Sequence, residues 1–126
     1  MSAAGRPHRK ATGMLGEDLA CRYLADQGYR IVERNWRWRA GEIDVVAQDG
    51  ECWVFVEVKT RRGRGVENPE EAVSRRKAAR LTDLAATWLC DHDLANVDWR
   101  IDLVAIELDR DGGLRSAHVA RALVAE

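Results

Sequence analysis

The stretch GEIDVVAQDGECWVFVEVKTRR, residues 41–62, decides the fold. Its two apolar, β-branched halves predict strands over 42–47 and 52–59, joined by a tight glycine turn. Because side chains alternate along a strand, Glu57 and Lys59 share one face while the valines beside them point into the core. The stretch is therefore expected to form a hairpin with charged residues on one surface.

This hairpin also groups carboxylates. The same alternation puts Glu42 and Asp44 together, and pairing across the turn brings Asp44 beside Glu57. Neighbouring carboxylates repel, and at a half-buried sheet edge they are seldom placed together unless a cation neutralises them. Mg²⁺ or Mn²⁺ fits that need, because such ions take hard oxygen ligands and keep positions for water and phosphate.

Lys59 indicates what such a metal site could do. Beside a metal-bound water, its amine could orient or deprotonate the nucleophile, or place a positive charge against the phosphate. The set is therefore typical of a hydrolytic phosphodiesterase. The alternative is a surface hairpin whose Glu57 and Lys59 form an ion pair along the strand, which contributes little to stability.

Apolar periodicity, capping signals and β-branched runs predict the remaining elements. They are a helix over 13–27 ended by Gly28, a short strand over 31–35 that residues 36–41 interrupt, a long helix from the Asn68-Pro69 start signal to about Cys90, a strand from Trp99 to Leu108, and an edge strand or short helix over 118–124. Residues 1–12 are expected to be a flexible basic arm, and residues 13–126 a single domain. The order α-β-β-β-α-β is typical of an α/β fold with a mixed sheet flanked by helices.

Four stretches of the chain closely resemble a known family. They are GEIDVVA (41–47), VFVEVKTRR (54–62), NPEEAVSRRK (68–77) and RIDLVAIEL (100–108). They are similar to the YraN family of small bacterial proteins, which resembles the PD-(D/E)XK nucleases and, in element order, archaeal Holliday junction resolvases. The resemblance implies a restriction-endonuclease-like fold.

The same resemblance assigns roles to individual residues. It implies an active-site triplet of Asp44, Glu57 and Lys59, with the metal held by the two carboxylates and the Val58 carbonyl. Glu17 matches the acidic residue that many such nucleases carry on the first helix. The fold and the site transfer more safely than the substrate does.

Three further residues have two readings each. Glu17 lies near the inward face of its helix, where it needs a partner such as a metal-bound water, or it is simply favoured by the helix dipole. Glu42 has the alternation of a site residue, or it pairs with an arginine at the strand entrance. Lys77 lies on an apolar helix stripe, from which its amine either contacts a phosphate or extends to solvent.

Basic side chains flank the acidic hairpin. Residues 41–58 carry no basic and five acidic side chains, residues 1–40 carry eight basic and four acidic ones, and residues 59–80 carry eight basic and three acidic ones. The expected nucleic-acid contacts are Arg61, Arg62 and Arg64 after the strand, and Arg37 and Arg39, which alternate with Trp36 and Trp38. Arginines among tryptophans suit phosphate neutralisation and base stacking, or they form an ordinary strand with tryptophan inward and arginine outward.

The sequence also predicts where the protein works. The longest apolar run, residues 52–56, is far shorter than the roughly 20 residues that span a bilayer, and the N-terminus lacks the apolar region of a signal peptide. We therefore expect a cytoplasmic protein with no membrane contact. The three cysteines form no CxxC pair and are expected to be reduced thiols.

Three functions stay open on sequence alone. The first is a Mg²⁺-dependent nuclease acting on DNA, including branched or single-stranded DNA, and the intact Lys59 favours it. The second is a non-catalytic nucleic-acid-binding or adaptor module of a helicase or recombination complex. The third is a structural protein that binds no metal. Cutting both strands of a junction requires two sites, so a homodimer is an attractive expectation.

Overall fold

In the computed structural model, residues 9–62, 75–111 and 113–120 are described, and within them the chain forms two helices and five strands. These are α1 (Arg9–Asp26), β1 (Arg30–Trp38), β2 (Gly41–Asp49), β3 (Cys52–Arg62), α2 (Arg75–Asp91), β4 (Trp99–Leu108) and β5 (Leu114–Ala120). Neither helix has the length and apolar content that crossing a bilayer requires.

The five strands form one mixed sheet in the order β1-β2-β3-β4-β5. β1, β2 and β3 are an antiparallel meander, β3 and β4 are parallel, and β5 returns antiparallel to β4. Parallel neighbours need a crossover, which here contains α2. The architecture confirms the expected α/β fold with helices flanking a mixed sheet, and it is consistent with a restriction-endonuclease-like fold.

Each helix covers one face of the sheet. On the α1 face, Ala20 and Leu24 pack against buried residues of β2, β3 and β4, which are Val45, Ala47, Val54, Val56, Val104, Ile106 and Leu108. On the α2 face, Leu81, Leu84, Ala85, Trp88 and Leu89 pack against Ile43, Val46, Phe55 and Ile101. The central strands are buried on both sides, which explains their nearly continuous apolar sequence.

Three predicted elements end where the structure ends them, to within one residue. The predicted β4, Trp99 to Leu108, has those bounds, and α2 ends at Asp91, one residue beyond the prediction. Gly28 ends α1 as expected: its φ is 99°, and the N–H groups of Gly28 and Tyr29 donate to carbonyls in the last turn of α1, those of Ala25 and Leu24. This double hydrogen bond is a Schellman cap, for which glycine is favoured.

Other boundaries were wrong. α1 begins at Arg9, so residues 9–12 of the predicted basic arm are helical; Arg9, Lys10 and Ala11 are good helix formers, which can extend a helix without an apolar face. β1 continues through the stretch expected to interrupt it and ends at Trp38, because hydrogen bonding to β2 holds it. The last element is a strand beginning at Leu114. The rest of the arm, the Asn68 start signal and residues 121–124 lie outside the described residues.

Candidate functional site

The candidate site lies where β2 and β3 diverge. The antiparallel register between these strands runs from Asp49↔Cys52 to Val45↔Val56. Immediately beyond its last pair come Asp44 and Glu57, which are only 9% and 7% exposed. Two carboxylates that water reaches so poorly are costly unless charged or polar partners compensate them.

A change of face in β2 turns Asp44 towards this opening. Ile43 packs in the core cluster under α2, whereas Val45 packs in the cluster under α1. Residues two apart in a regular strand share a face, so the strand is twisted at Asp44. Opposite it in the β1–β2 register, Asn35 has a φ of 55°, a left-handed conformation that asparagine tolerates better than most residues.

Asp44 also holds the two strands together at this point. Its Oδ2 accepts a hydrogen bond from the backbone N–H of Val58 at 2.8 Å. The side chain of β2 thus contacts the backbone of β3 just beyond the last residue pair of the ladder. This contact fixes the carboxylate beside Glu57, as strand pairing led us to expect.

Glu17, Glu42 and Asp44 form an acidic trio. One carboxylate oxygen from each lies within 4.8 Å of the others. Glu17 comes from α1, which approaches β3 closely because Gly16 has no side chain: a Cβ at that position would overlap the side chain of Thr60. The trio is therefore assembled by α1 and β2 together.

Two members of the trio, Asp44 and Glu17, hold their protons unusually tightly. Burial and the charge of Glu57 raise the pKa of Asp44 from 3.8 to about 8, and its hydrogen bond with Glu42 and the charge of Glu17 add to the rise, against the opposing Val58 N–H. Burial also raises the pKa of Glu17, which a hydrogen bond with Asn35 only partly offsets. A cation beside Asp44 and Glu17 would favour the ionised form of both carboxyl groups.

Glu57 faces two lysines instead of joining the trio. The Lys77 Nζ lies 2.7 Å from its Oε2, and the Lys59 Nζ lies 3.9 Å from the same atom. Burial and the adjacent Lys77 lower the pKa of Lys59. Burial also opposes the charge on Lys77, but its hydrogen bond with Glu57 and that carboxylate's charge outweigh burial and raise its pKa. The pKa values of the two amines are thus shifted in opposite directions, that of Lys59 down and that of Lys77 up.

A cavity of about 240 Å³ opens beside these groups. It is lined by Ala40, Gly41, Glu42, Asp44, Glu57, Lys77, Arg80, Leu81 and Leu84. α2 forms one wall and fits closely, because a Cβ at Gly41 would lie 2.8 Å from Leu84 Cδ1. The cavity thus joins three carboxylates of the hairpin to two cations of α2.

The arginines predicted to contact nucleic acid differ in their surroundings. Arg37 is 75% exposed at its side chain and forms an ion pair with Glu42 at 3.3 Å, which is the arginine partner that one reading of Glu42 required. The Arg39 guanidinium lies 5.4 Å from the centroid of the Trp38 ring. Arg61 is exposed on β3. The side chain of Arg62 and all of Arg64 lie outside what the structure describes.

Sequence reasoning missed several contributors. Asn35 contacts Glu17, Arg34 lies 3.8 Å from the same carboxylate, and Arg80 lines the cavity. One signal was available: Gly16 and Gly41 each directly precede an acidic residue of the trio. Glycine at such positions marks close approach between elements, and here each one lets a helix lie against the site.

A second buried charge cluster lies at the other end of the sheet and is structural. The Arg100 guanidinium contacts Asp102, Asp49 and the hydroxyl of Tyr29 at 2.8–3.2 Å. Asp102 is fully buried. Arg100 therefore compensates the charge that Asp102 would carry in the interior.

Comparison with known proteins gives a consistent result. The family model described as "Uncharacterised protein family UPF0102" matches residues 16–106. Similar proteins named UPF0102 protein include one from Beutenbergia cavernae, 50% identical over 88% of this chain and 94% of its own length. One from Streptomyces griseus is 51% identical over 87% and 93%, and one from Geobacter sulfurreducens 42% over 94% and 92%.

Proposed function

The chain belongs to the UPF0102 (YraN) family, and from its site we propose that it is a metal-dependent nuclease that hydrolyses phosphodiester bonds in DNA. One observation carries the proposal. Where β2 and β3 diverge, a half-buried acidic trio adjoins a carboxylate that is paired with two lysines, whose pKa values are shifted in opposite directions. Three carboxylates whose oxygens lie this close together are more typical of a functional site than of a contact that only stabilises the fold.

The donor set fits a divalent cation such as Mg²⁺ or Mn²⁺. Glu17, Glu42 and Asp44 offer hard oxygen donors within 4.8 Å of one another, and burial together with the charges of Glu57 and Glu17 raises the pKa of Asp44. Glu57 would join them on release from Lys77, and the Val58 carbonyl is a further candidate donor. When bound, such an ion lowers the pKa of water and offsets charge on phosphate.

The lysines supply the chemistry that this chain itself provides. Because its pKa is lowered, Lys59 more readily loses its proton, so its Nζ can accept a proton from an attacking water. Lys77 keeps its proton and holds Glu57 in place. Lys77 and Arg80 both line the cavity, where positive charge would neutralise a phosphate.

The test is a cleavage assay with matched variants. Purified protein is incubated with Mg²⁺ or Mn²⁺ and a panel of duplex, single-stranded, flap and four-way junction DNAs. Lys59→Met is expected to lower the rate at least about 100-fold, and Asp44→Asn should act similarly. Arg115→Met removes an exposed cation on β5 and serves as the control. Equal cleavage by the wild type and Lys59→Met would reveal a contaminating nuclease and reject the proposal.

One observation favours a second candidate, a nucleic-acid-binding or adaptor module. Glu57 lies 2.7 Å from the Lys77 amine, so this carboxylate already has a cationic partner and does not need a metal ion. This candidate predicts DNA binding that weakens with salt and survives Lys59→Met, without turnover on any DNA of the panel. Sedimentation velocity with a junction DNA would also show whether a homodimer forms.

A further inference from the structure

We propose that Trp36 and Trp38 take up an unpaired nucleobase beside the candidate site, so that the substrate is DNA with a single-stranded segment. This inference rests on the proposed function and specifies its substrate. We call these two side chains the tryptophan pair. They lie two residues apart on β1 and therefore on the same face of the strand.

The arrangement of the two rings leaves room for a third. They are parallel to within 5°, and their centroids are 6.5 Å apart. Successive bases on one strand stack about 3.4 Å apart, so this separation is close to two stacking steps. Parallel rings in direct contact, about 3.5 Å apart, would need a large sideways displacement to reach the same centroid distance. A base that enters between the two rings requires the first arrangement, and nearly parallel planes with centroids 6.5 Å apart are compatible with it.

Core packing does not explain both tryptophans. Trp36 is half-buried and packs against the cluster under α2, but Trp38 is 42% exposed. By contrast, Trp88 is buried, and its Nε1 donates to Glu33 at 2.9 Å. A half-exposed tryptophan beside a cavity is typical of a surface that binds a partner.

The tryptophan pair lies next to the cavity. In the β1–β2 register Trp36 is opposite Ile43 and Trp38 is opposite Gly41, and Gly41 lines the cavity. Trp36 and Ile43 both pack on the α2 side of the sheet, from which Lys77 and Arg80 reach the cavity. A strand stacked on the pair would therefore run along the cavity rim.

Positive charge accompanies the rings. The Arg39 guanidinium lies 5.4 Å from the centroid of the Trp38 ring. Proteins that hold single strands combine basic groups for the backbone with aromatic rings for the bases. Bases of a duplex are already stacked and paired, so the tryptophan pair selects unpaired ones.

Binding in the absence of turnover tests the proposal. Fluorescence anisotropy with labelled oligothymidine in EDTA measures affinity for wild type, Trp38→Ala, Trp38→Phe and the control Trp99→Ala. Trp99 is 36% exposed at the other end of the sheet. We expect Trp38→Ala to weaken binding about 5- to 100-fold, Trp38→Phe to retain most of the affinity, and Trp99→Ala to match the wild type. Thermal unfolding checks that each variant is folded.

A blunt duplex of the same length separates stacking from a general loss of binding. Its affinity should change far less in Trp38→Ala than that of the single strand. Oligouridine distinguishes the two sources of unpaired bases: an equal loss with RNA would support the tryptophan pair and extend its ligand to RNA. Replacing one thymine by 5-iodouracil should, on irradiation, give a crosslink to Trp36 or Trp38 identifiable by mass spectrometry.

Three results would overturn the inference: no binding of oligothymidine by the wild type, unchanged binding by Trp38→Ala, or equal losses on single-stranded and duplex DNA. Because binding is measured without turnover, these outcomes are independent of the cleavage assay. A wild type that cleaves duplex DNA through Lys59 while Trp38→Ala binds normally would keep the nuclease proposal and reject this one.

Discussion

Asp44→Asn is expected to stabilise the metal-free protein at neutral and alkaline pH, although it removes a residue of the candidate site. Asparagine is nearly isosteric, and its Oδ1 can still accept the Val58 N–H that Asp44 accepts at 2.8 Å. The substitution therefore removes the buried charge and leaves the contact between β2 and β3. Any change in stability then reports the cost of that charge.

The magnitude follows from the pKa of Asp44. The carboxyl ionises at about 8 in the folded protein against an ordinary value of 3.8. Between these values the folded protein keeps a proton that the unfolded chain has lost, so rising pH lowers the free energy of unfolding by about 1.4 kcal/mol per unit. The stability that protonated Asp44 contributes is complete below pH 3.8 and is lost as pH rises through about 8. Asparagine lacks this dependence.

Urea unfolding in EDTA at a series of pH values measures the effect. The advantage of Asp44→Asn over the wild type should grow by roughly 4 kcal/mol between about pH 5 and pH 8 and then level off. Asp83→Asn, which alters an exposed carboxylate on α2, should stay within about 0.5 kcal/mol of the wild type throughout. A constant difference between Asp44→Asn and the wild type across this range would refute the reasoning.

Three further predictions concern packing, the structural charge cluster and the lysines. Gly16→Ala places a Cβ where it would overlap the Thr60 side chain of β3. We expect it to lower the free energy of unfolding, measured in urea, by about 1–3 kcal/mol. Arg100→Met removes the guanidinium that contacts the fully buried Asp102, so we expect it to lower the free energy of unfolding by about 3–5 kcal/mol. Replacing Asp102 by leucine in the same variant should remove most of this loss. Lys77→Met removes a positive charge that lowers the pKa of Lys59, so the acid limb of the pH–rate profile for DNA cleavage should move to higher pH; an unmoved limb would exclude Lys59 as the base.

The central sheet could be predicted because its signals are local. β3 and β4 are runs of β-branched and aromatic residues, and the expected bounds of β4 are those observed. β1 was predicted too short because nothing in WRWRAG shows that β2 pairs with it; hydrogen bonds between distant segments override local preference there. For the same reason the sequence does not predict the left-handed backbone conformation of Asn35, which depends on the strand opposite it.

The candidate site was predictable to the level of strand geometry. Alternation along β3 put Glu57 and Lys59 on one face, and pairing across the hairpin put Asp44 beside Glu57. How the carboxylates divide between the trio and the lysines was not predictable. That division depends on how closely α1 and α2 approach the sheet, which tertiary packing decides through Gly16 and Gly41.

The hydrogen bond from the Val58 N–H to Asp44 gives the protein a built-in spectroscopic reporter. An amide proton bonded to a carboxylate shifts when that carboxylate gains or loses its proton, and this amide belongs to a central strand rather than to a mobile side chain. Following one backbone resonance in a ¹⁵N-labelled sample would thus record titration at Asp44 and its occupation by a cation. The chemistry of the site can be read from a single peptide group before any substrate is known.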